Sequence, residues 1–526
     1  MKKLTTAMAV ILMLFTLFLV LKGRVATAQG PMQQAGPQQI GERHALEKHI
    51  DQRDIEAGRV KFDDLLDIGE VIFAARWTKL EGQGRPAATG NGAPTKRDPS
   101  RDPGFIRTSG TDATSCADCH FQPTVGGAGG FVANVFVLAQ ILDPVTESVS
   151  PEFSNERNTL GMNGSGAIEM LAREMTTDLI AVRESAKAQA KSSGQSVTVP
   201  LVAKGVNFGS LIVSPQGSVN TSLVEGVDGD LIIKPFHQKG VVASLRVFTN
   251  NAYNHHHGMQ PVERFGIGLR DNKGNLITTN DFDEDGVADE LTVGDITAAT
   301  LFQAAMNTPG RVIPADPERR AAAQRGEGLF ATIGCVQCHI PALPLNTRSF
   351  TEPNPFNPPG NLRVQDVPQA FTFDLTRDIP KPWLERATTG GAIVRAYTDL
   401  KRHVICDALD PFFCNERVVQ SGVPTNQFLT RKLWDVGNTA PYGHRGDLTT
   451  ITEAILHHAG DARPQRASFE SLSREQQAEI VEFLKQLQVL PNGSPREITD
   501  VEQRANGRNR GNGLSQKDKD KDKDNK

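Results

Sequence analysis

Two five-residue units carry the clearest chemistry in this chain: Cys116-Ala117-Asp118-Cys119-His120 and Cys335-Val336-Gln337-Cys338-His339. Two cysteines two residues apart, with histidine directly after the second, form the spacing at which two thioethers hold a c-type haem and the imidazole ligates its iron. Structural zinc sites and thioredoxin-like dithiols use similar cysteine pairs. Two complete units behind an export signal favour two covalently attached haems, with His120 and His339 as proximal ligands. What occupies the far face of each iron decides whether a haem only passes electrons or also binds oxygen species.

For the second haem the candidate distal ligand is His458. Thr450-Ile451-Thr452-Glu453 reads as a capping box that starts a helix, and Ile451, Ala454, Ile455 and His458 then fall at i, i+3, i+4 and i+7. His458 faces the core in that register, and His457 lies off the stripe. A hydrogen-bonded core histidine is the competing reading. For the first haem the chain offers Asn254-His255-His256-His257-Gly258-Met259, preceded by Pro235-Phe236-His237. A histidine run can also be a solvated loop. His256 is the preferred residue at the first iron.

These residues must be positioned by a chain of 526 residues that is 38% hydrophobic, enough for two or three ordinary domains. With 57 basic and 61 acidic residues the net charge is -4, which leaves no basic field to recruit nucleic acid. Lys2 and Lys3, the apolar run from Ala7 to Leu21, and Ala26-Thr27-Ala28 read as a cleaved signal peptide over residues 1–28, and hence as a periplasmic or secreted protein. An uncleaved anchor, and with it membrane contact, is the alternative, although the apolar run is short against the roughly 20 residues that span a bilayer. The remaining two of six cysteines, Cys406 and Cys414, sit eight residues apart around Pro411 and could close a local disulfide in an oxidising compartment.

Residues 29–58 read as a flexible leader. An N-terminal haem domain is expected over 59–315, opening with a helix near Phe62–Trp77 and containing a small β insertion at about 197–233. Asp316-Pro317 starts a second haem domain over 316–495, whose first helix runs into Gly334-Cys335 and whose last, near Arg474–Gln488, is capped by Ser473 and Gln476. Residues 496–526 end in alternating Lys and Asp and read as a disordered tail. Within 281–295, Asp281, Asp283, Asp285, Val287 and Asp289 alternate around Gly286 as in a calcium loop, with Thr292 in place of the closing Glu and Asp295 nearby. An acidic solvated turn is the plainer reading.

With these residues in view the chain resembles the bacterial di-haem cytochrome c peroxidase superfamily, most closely its di-haem oxidoreductase branch. The resemblance runs from about residue 70 to 490. It rests on Gly164 to Glu169, His256 to Glu263, Leu329 to His339, Asp399 to His403, and Ala440 to Gly446 (Ala-Pro-Tyr-Gly-His-Arg-Gly). It implies a mainly α fold of two cytochrome c-like helical domains, each with one covalent haem, and a distal ligand from the helix after Ala-Pro-Tyr-Gly-His. Classical members carry Met there; His458 implies a bis-histidine second haem of lower potential. Classical members also place a distal histidine soon after the first motif, whereas here the next is His237. The family's distal glutamate has only Glu169 and Glu263 as candidate counterparts.

The sequence thus points to an exported peroxidase-type enzyme, with electrons entering at the C-terminal haem from a small redox protein and passing to the N-terminal haem, where a small oxidant such as hydrogen peroxide is met. An electron-transfer cytochrome with two six-coordinate haems and no substrate site is the alternative. A third class would use the same scaffold on an organic polymer or a partner protein.

Overall fold

The computed structural model describes residues 41–84, 111–137, 154–265 and 286–501. The described residues from Ala45 onward belong to one compact unit. The expected signal peptide, the first part of the leader, Asp281, Asp283 and Asp285, and most of the expected tail lie outside the described residues.

The helices follow their sequence signals closely. Phe62–Ala74 buries Leu65, Ile72 and Phe73. Val293–Ala305 is capped by Thr292 and Asp295. Pro317–Thr332 begins at the Asp316 cap, and Arg474–Lys485 begins at the Ser473–Gln476 capping box. The longest, Ser165–Ser193, buries most of its first two turns and ends at Gly194.

The expectation of a mainly α protein is overturned. Among the described residues strands form six small sheets of two or three strands each, so the fold is mixed α and β. The insertion is there, with Val197–Ala203, Val206–Val213 and Val219–Asn220 forming an antiparallel sheet. Further sheets lie within the C-terminal half, where Leu343–Leu345 pairs with Ala392–Val394, Ser349–Glu352 with Phe371–Asp374, and Arg402–Val404 with Gln427–Leu429. These strands are too short for alternation to announce them, and their partners lie tens of residues away.

Two segments expected outside the fold belong to it. Ile50 and Ile55 are buried, and His49 Nδ1 and the Ile50 N–H both bond the Asp295 carboxylate. In the expected tail, Glu497–Thr499 pairs in parallel with Gly310–Ile313. The larger core joins Phe73, Ile168 and Leu301 with Phe350, Phe373 and Trp434. A second core gathers Phe330, Ile451, Phe469, Phe483 and Leu484 around the second motif. No described helix is long and apolar enough to cross a membrane.

Candidate functional site

The second motif is built by the helix Pro317–Thr332, which ends one turn before it. Gly334, at φ +88°, turns the chain into the short helical turn Cys335–Gln337, and the His339 N–H closes onto the Cys335 carbonyl at 3.0 Å. His339 donates from Nδ1 to the Tyr397 carbonyl at 3.1 Å. A carbonyl only accepts, so Nδ1 carries the proton and Nε2 keeps its lone pair. Tyr397 holds a φ of +54°, a strained conformation for a bulky residue. Its hydroxyl is fixed by Arg311 Nη2 at 2.7 Å and Glu327 Oε1 at 3.2 Å.

His458 faces His339. The Thr450–Glu453 capping box is present, but the helix stops at Leu456, and His458 sits just beyond it. Its Nδ1 donates to the Ala454 carbonyl at 2.7 Å, which again leaves Nε2 bare. The two rings lie 6.4 Å apart, centre to centre. One metal ion held between them would need about 6.2 Å, from metal–nitrogen bonds of about 2 Å and about 1.1 Å from each Nε2 to its ring centre. Burial lowers the pKa of His339 to about 4 and lowers that of His458, so both rings stay neutral and able to ligate. Cys335, Cys338, His339 and His458 line one cavity of about 230 Å³ with Phe330 and Phe469. These donors and apolar walls fit a covalent haem.

A disulfide braces the far side. Cys406 and Cys414 are bonded, with Cα atoms 5.6 Å apart. Phe413 from this loop sets its ring edge against His458, and Phe412 stacks on His457 at 3.9 Å. The Ala459 N–H bonds the Ile405 carbonyl at 3.1 Å.

His403 also lines this cavity, with Nε2 2.8 Å from Asp399 Oδ2. Burial disfavours its charged ring, yet hydrogen bonds to Asp399 and Cys338 hold its pKa up at about 10. Ligand atoms of Cys338, Asp399 and His403 lie within 4.8 Å of one another, a spacing a metal ion could use. A thioether at Cys338 removes the thiolate from that set.

The first motif is held from two sides. Ser115 caps the short helix Cys116–Cys119 and donates to the Phe73 carbonyl at 3.3 Å. The preceding strap is tied to the end of the helix Leu245–His257: the Asp112 N–H bonds the His256 carbonyl at 2.9 Å, and His257 Nδ1 donates to the Ala113 carbonyl at 2.9 Å. Gly258, at φ +65°, ends that helix where an added Cβ would strike the Gly84 carbonyl. His120 Nδ1 donates to the Gly127 carbonyl at 3.3 Å. Burial lowers the pKa of His120 to about 4 and pushes the Cys116 thiol up to about 12 and the Cys119 thiol to about 11.

Cys116, Cys119 and His120 line a cavity of about 160 Å³ with Phe73, Phe236 and Phe248, so the first site also fits a covalent haem. His256 lines it too, with Nδ1 2.9 Å from Asp112 Oδ2. So do His257, whose Nε2 is 3.4 Å from Cys116 Sγ, and His237. His237 holds a φ of +65°, and burial lowers its pKa to about 3. Among the described residues no histidine ring stands to His120 as His458 stands to His339.

Glu169 and Glu263 line neither cavity. They are fully buried partners of arginine: Glu169 of Arg173, and Glu263 of Arg246 at 2.8 Å. Of the calcium candidates only Val287 and Asp289 fall among the described residues. Asp295 is engaged with His49 and the helix cap.

Asn158, Leu160, Gln238, Leu429, Thr430 and Arg431 line both cavities. The two sites therefore share a wall, tied by Gln238 Nε2 donating to the Asn158 carbonyl at 3.1 Å and the Leu429 N–H to the Gln238 carbonyl at 3.0 Å. Sequence reasoning passed over this segment. Its one signal is the cation pair Arg431-Lys432 set against Leu433 and Trp434.

No family model matches the chain, and no curated protein matches it. Among solved structures it is similar to the hydrazine synthase of Kuenenia stuttgartiensis, at 13% identity and a TM-score of 0.31 over 87% of this chain and all of that one. It is also similar to a MauG-like protein associated with microbial copper homeostasis, at 14% identity and a TM-score of 0.24 over 62% of this chain and 89% of that one.

Proposed function

We propose that this chain is an exported di-haem c-type redox enzyme of peroxidase type, its second site taking electrons from a small redox protein and its first site meeting hydrogen peroxide or a similar small oxidant. The observation that carries this reading is the asymmetry of two cysteine–histidine cavities sharing one wall. At the second, the His339 and His458 rings lie 6.4 Å apart with Nδ1 of each tied to a backbone carbonyl, which supports ligation on both faces and leaves no place for substrate. At the first, among the described residues, no histidine ring stands opposite His120 as His458 stands opposite His339.

Haem at the two sites would supply two irons that together store the two electrons needed to reduce peroxide to water. The chain's residues do the rest. Four cysteines anchor the groups, and the apolar walls exclude water. The shared wall keeps the sites close. Reduction of one peroxide to two waters also consumes two protons. His256, with Nδ1 on the Asp112 carboxylate, would hold a proton at the first cavity or ligate the iron there.

A second reading, an electron-transfer cytochrome with both irons six-coordinate, is favoured by the presence of His237, His256 and His257 on the first cavity. Low-temperature electron paramagnetic resonance of the oxidised and half-reduced protein, before and after peroxide, separates the two. One low-spin signal indifferent to peroxide and a second signal that reacts with it support the enzyme. Two low-spin irons, unreactive in either redox state, would leave the electron carrier.

A further inference from the structure

The first cavity carries a cation that the redox reading does not use. Among the described residues three cationic side chains other than histidine line it: Arg157, Arg431 and Lys432. Arg157 is paired with the buried Glu416, and Arg431 reaches Asp435 Oδ2 at 3.2 Å. Asp112, the carboxylate on the lining, is bonded to His256.

Lys432 is only 9% exposed. It has no hydrogen bond or ion pair among the described residues. Burial strips hydration from this side chain, and the attraction of the Asp435 carboxylate offsets only part of that loss. Burial accordingly pulls its pKa down to about 8.

Such a side chain persists where the ligand of the cavity brings the missing charge. The rest of the lining is largely aromatic and aliphatic, with Phe73, Leu160, Met162, Phe236 and Phe248. The missing partner is therefore an anionic group at the edge of a large apolar body. A haem has that form, an apolar macrocycle with two propionate carboxylates on one edge.

We propose that Lys432 forms an ion pair with a propionate carboxylate of the first haem and is thereby the positioning residue that seats this haem and raises its potential. The inference rests on the haem reading of the first motif. An ammonium beside the carboxylate opposes the extra positive charge of the ferric state, so it favours the reduced iron. A small carboxylate substrate would satisfy the same ammonium, and the test separates the two sources.

The full-length protein is matured with haem as wild type, Lys432→Met, Lys432→Gln and Lys432→Arg. Haem per chain is counted by pyridine haemochrome and intact mass, and each midpoint potential is followed by electron paramagnetic resonance during redox titration. Two haems per wild-type chain uphold the underlying reading; fewer than two overturn that reading, whatever the variants do. Given two, the Met and Gln variants should keep both haems, lower the potential of the first alone, and recover with Arg. Unchanged potentials in both neutral variants would overturn the proposal. An absorption shift on adding acetate to the wild type, absent in Lys432→Gln, with the potentials unmoved, would overturn it in favour of an external carboxylate. If both neutral variants fail to mature, the wild type decides. The resonance Raman propionate bending mode of its first haem should shift as pH rises through the lysine's titration, and a static band would refute the pair.

Discussion

Arg246 offers the sharpest energetic test of how the first site is held. Its guanidinium is fully buried. Nη1 donates to Glu263 Oε1 at 2.8 Å, Nε to Glu352 Oε1 at 2.6 Å, and Nη2 to Thr297 Oγ1. Arg246→Met leaves two buried carboxylates without their main partner. Glu263 keeps Asn250 Nδ2 at 2.6 Å and the Leu362 N–H at 2.7 Å; Glu352 keeps Arg173 at 3.8 Å. Breaking one buried pair costs about 3–5 kcal/mol, and because the two pairs share a cation their costs do not add. The expected loss is about 4–5 kcal/mol, a large fraction of a total stability of about 5–15 kcal/mol.

Urea unfolding of the haem-loaded protein, followed by circular dichroism, measures it. The loss should narrow on acidification. Burial raises the pKa of Glu352 even beside Arg246, and an acid raised in the folded state costs stability above its folded pKa and nothing below its unfolded one. The triple variant Arg246→Met, Glu263→Gln, Glu352→Gln should recover most of the loss. Because Arg246 sits in the first turn of the helix whose last turn holds His256 and His257, the first site's spectrum should broaden and the second's should not. A loss below about 1 kcal/mol, or one independent of pH, would refute this account.

Three further outcomes are expected. His458→Ala should retain both haems and turn the second high-spin and open to cyanide; an unchanged low-spin spectrum would remove His458 from the iron. Cys406→Ser with Cys414→Ser should cost about 2.5 kcal/mol for a closed loop of this size, and should loosen the second site first because Phe413 abuts His458; a first-site effect alone would contradict that. The Glu385 carboxylate is held at a pKa of about 2 by hydrogen bonds from Arg395 and Arg496. It therefore stabilises the fold above the ordinary glutamate range and is lost as pH falls from there toward about 2. Glu385→Gln should flatten this acid transition by at most about 1 kcal/mol, since the pair is partly exposed and screened by salt, and an equally steep transition in Glu385→Gln would place the acid response elsewhere.

What could be read from the sequence was local. A five-residue motif needs no partner to be recognised, and the caps at Ser473, Asp316 and Thr450 are interactions over three residues. The periodicity that turns His458 toward the core needs a helix running through it, whereas the helix ends at Leu456; the chain just beyond it still sets the His458 ring 6.4 Å from that of His339. The strands outside the insertion at 197–233 were illegible for the opposite reason. Glu385–Arg386 is two residues long and pairs with Ala392–Val394, and Glu497–Thr499 gains its identity only from Gly310–Ile313. Glu169 and Glu263 stood out as acids in recognisable motifs, and only the fold shows each facing a buried arginine. Lys432 shows in the sequence only as half of the cation pair beside Leu433 and Trp434, because nothing local tells a solvated lysine from one on a cavity wall.

The wall common to both cavities has a bearing on how this chain can change. Six side chains present one surface to each site, so a substitution at Arg431 or Leu429 is written into both at once. Retuning of one site alone is open to residues outside this wall; a substitution selected within it for an effect at one site will carry a correlated effect at the other, and these six positions will drift through sequence space as a single trait.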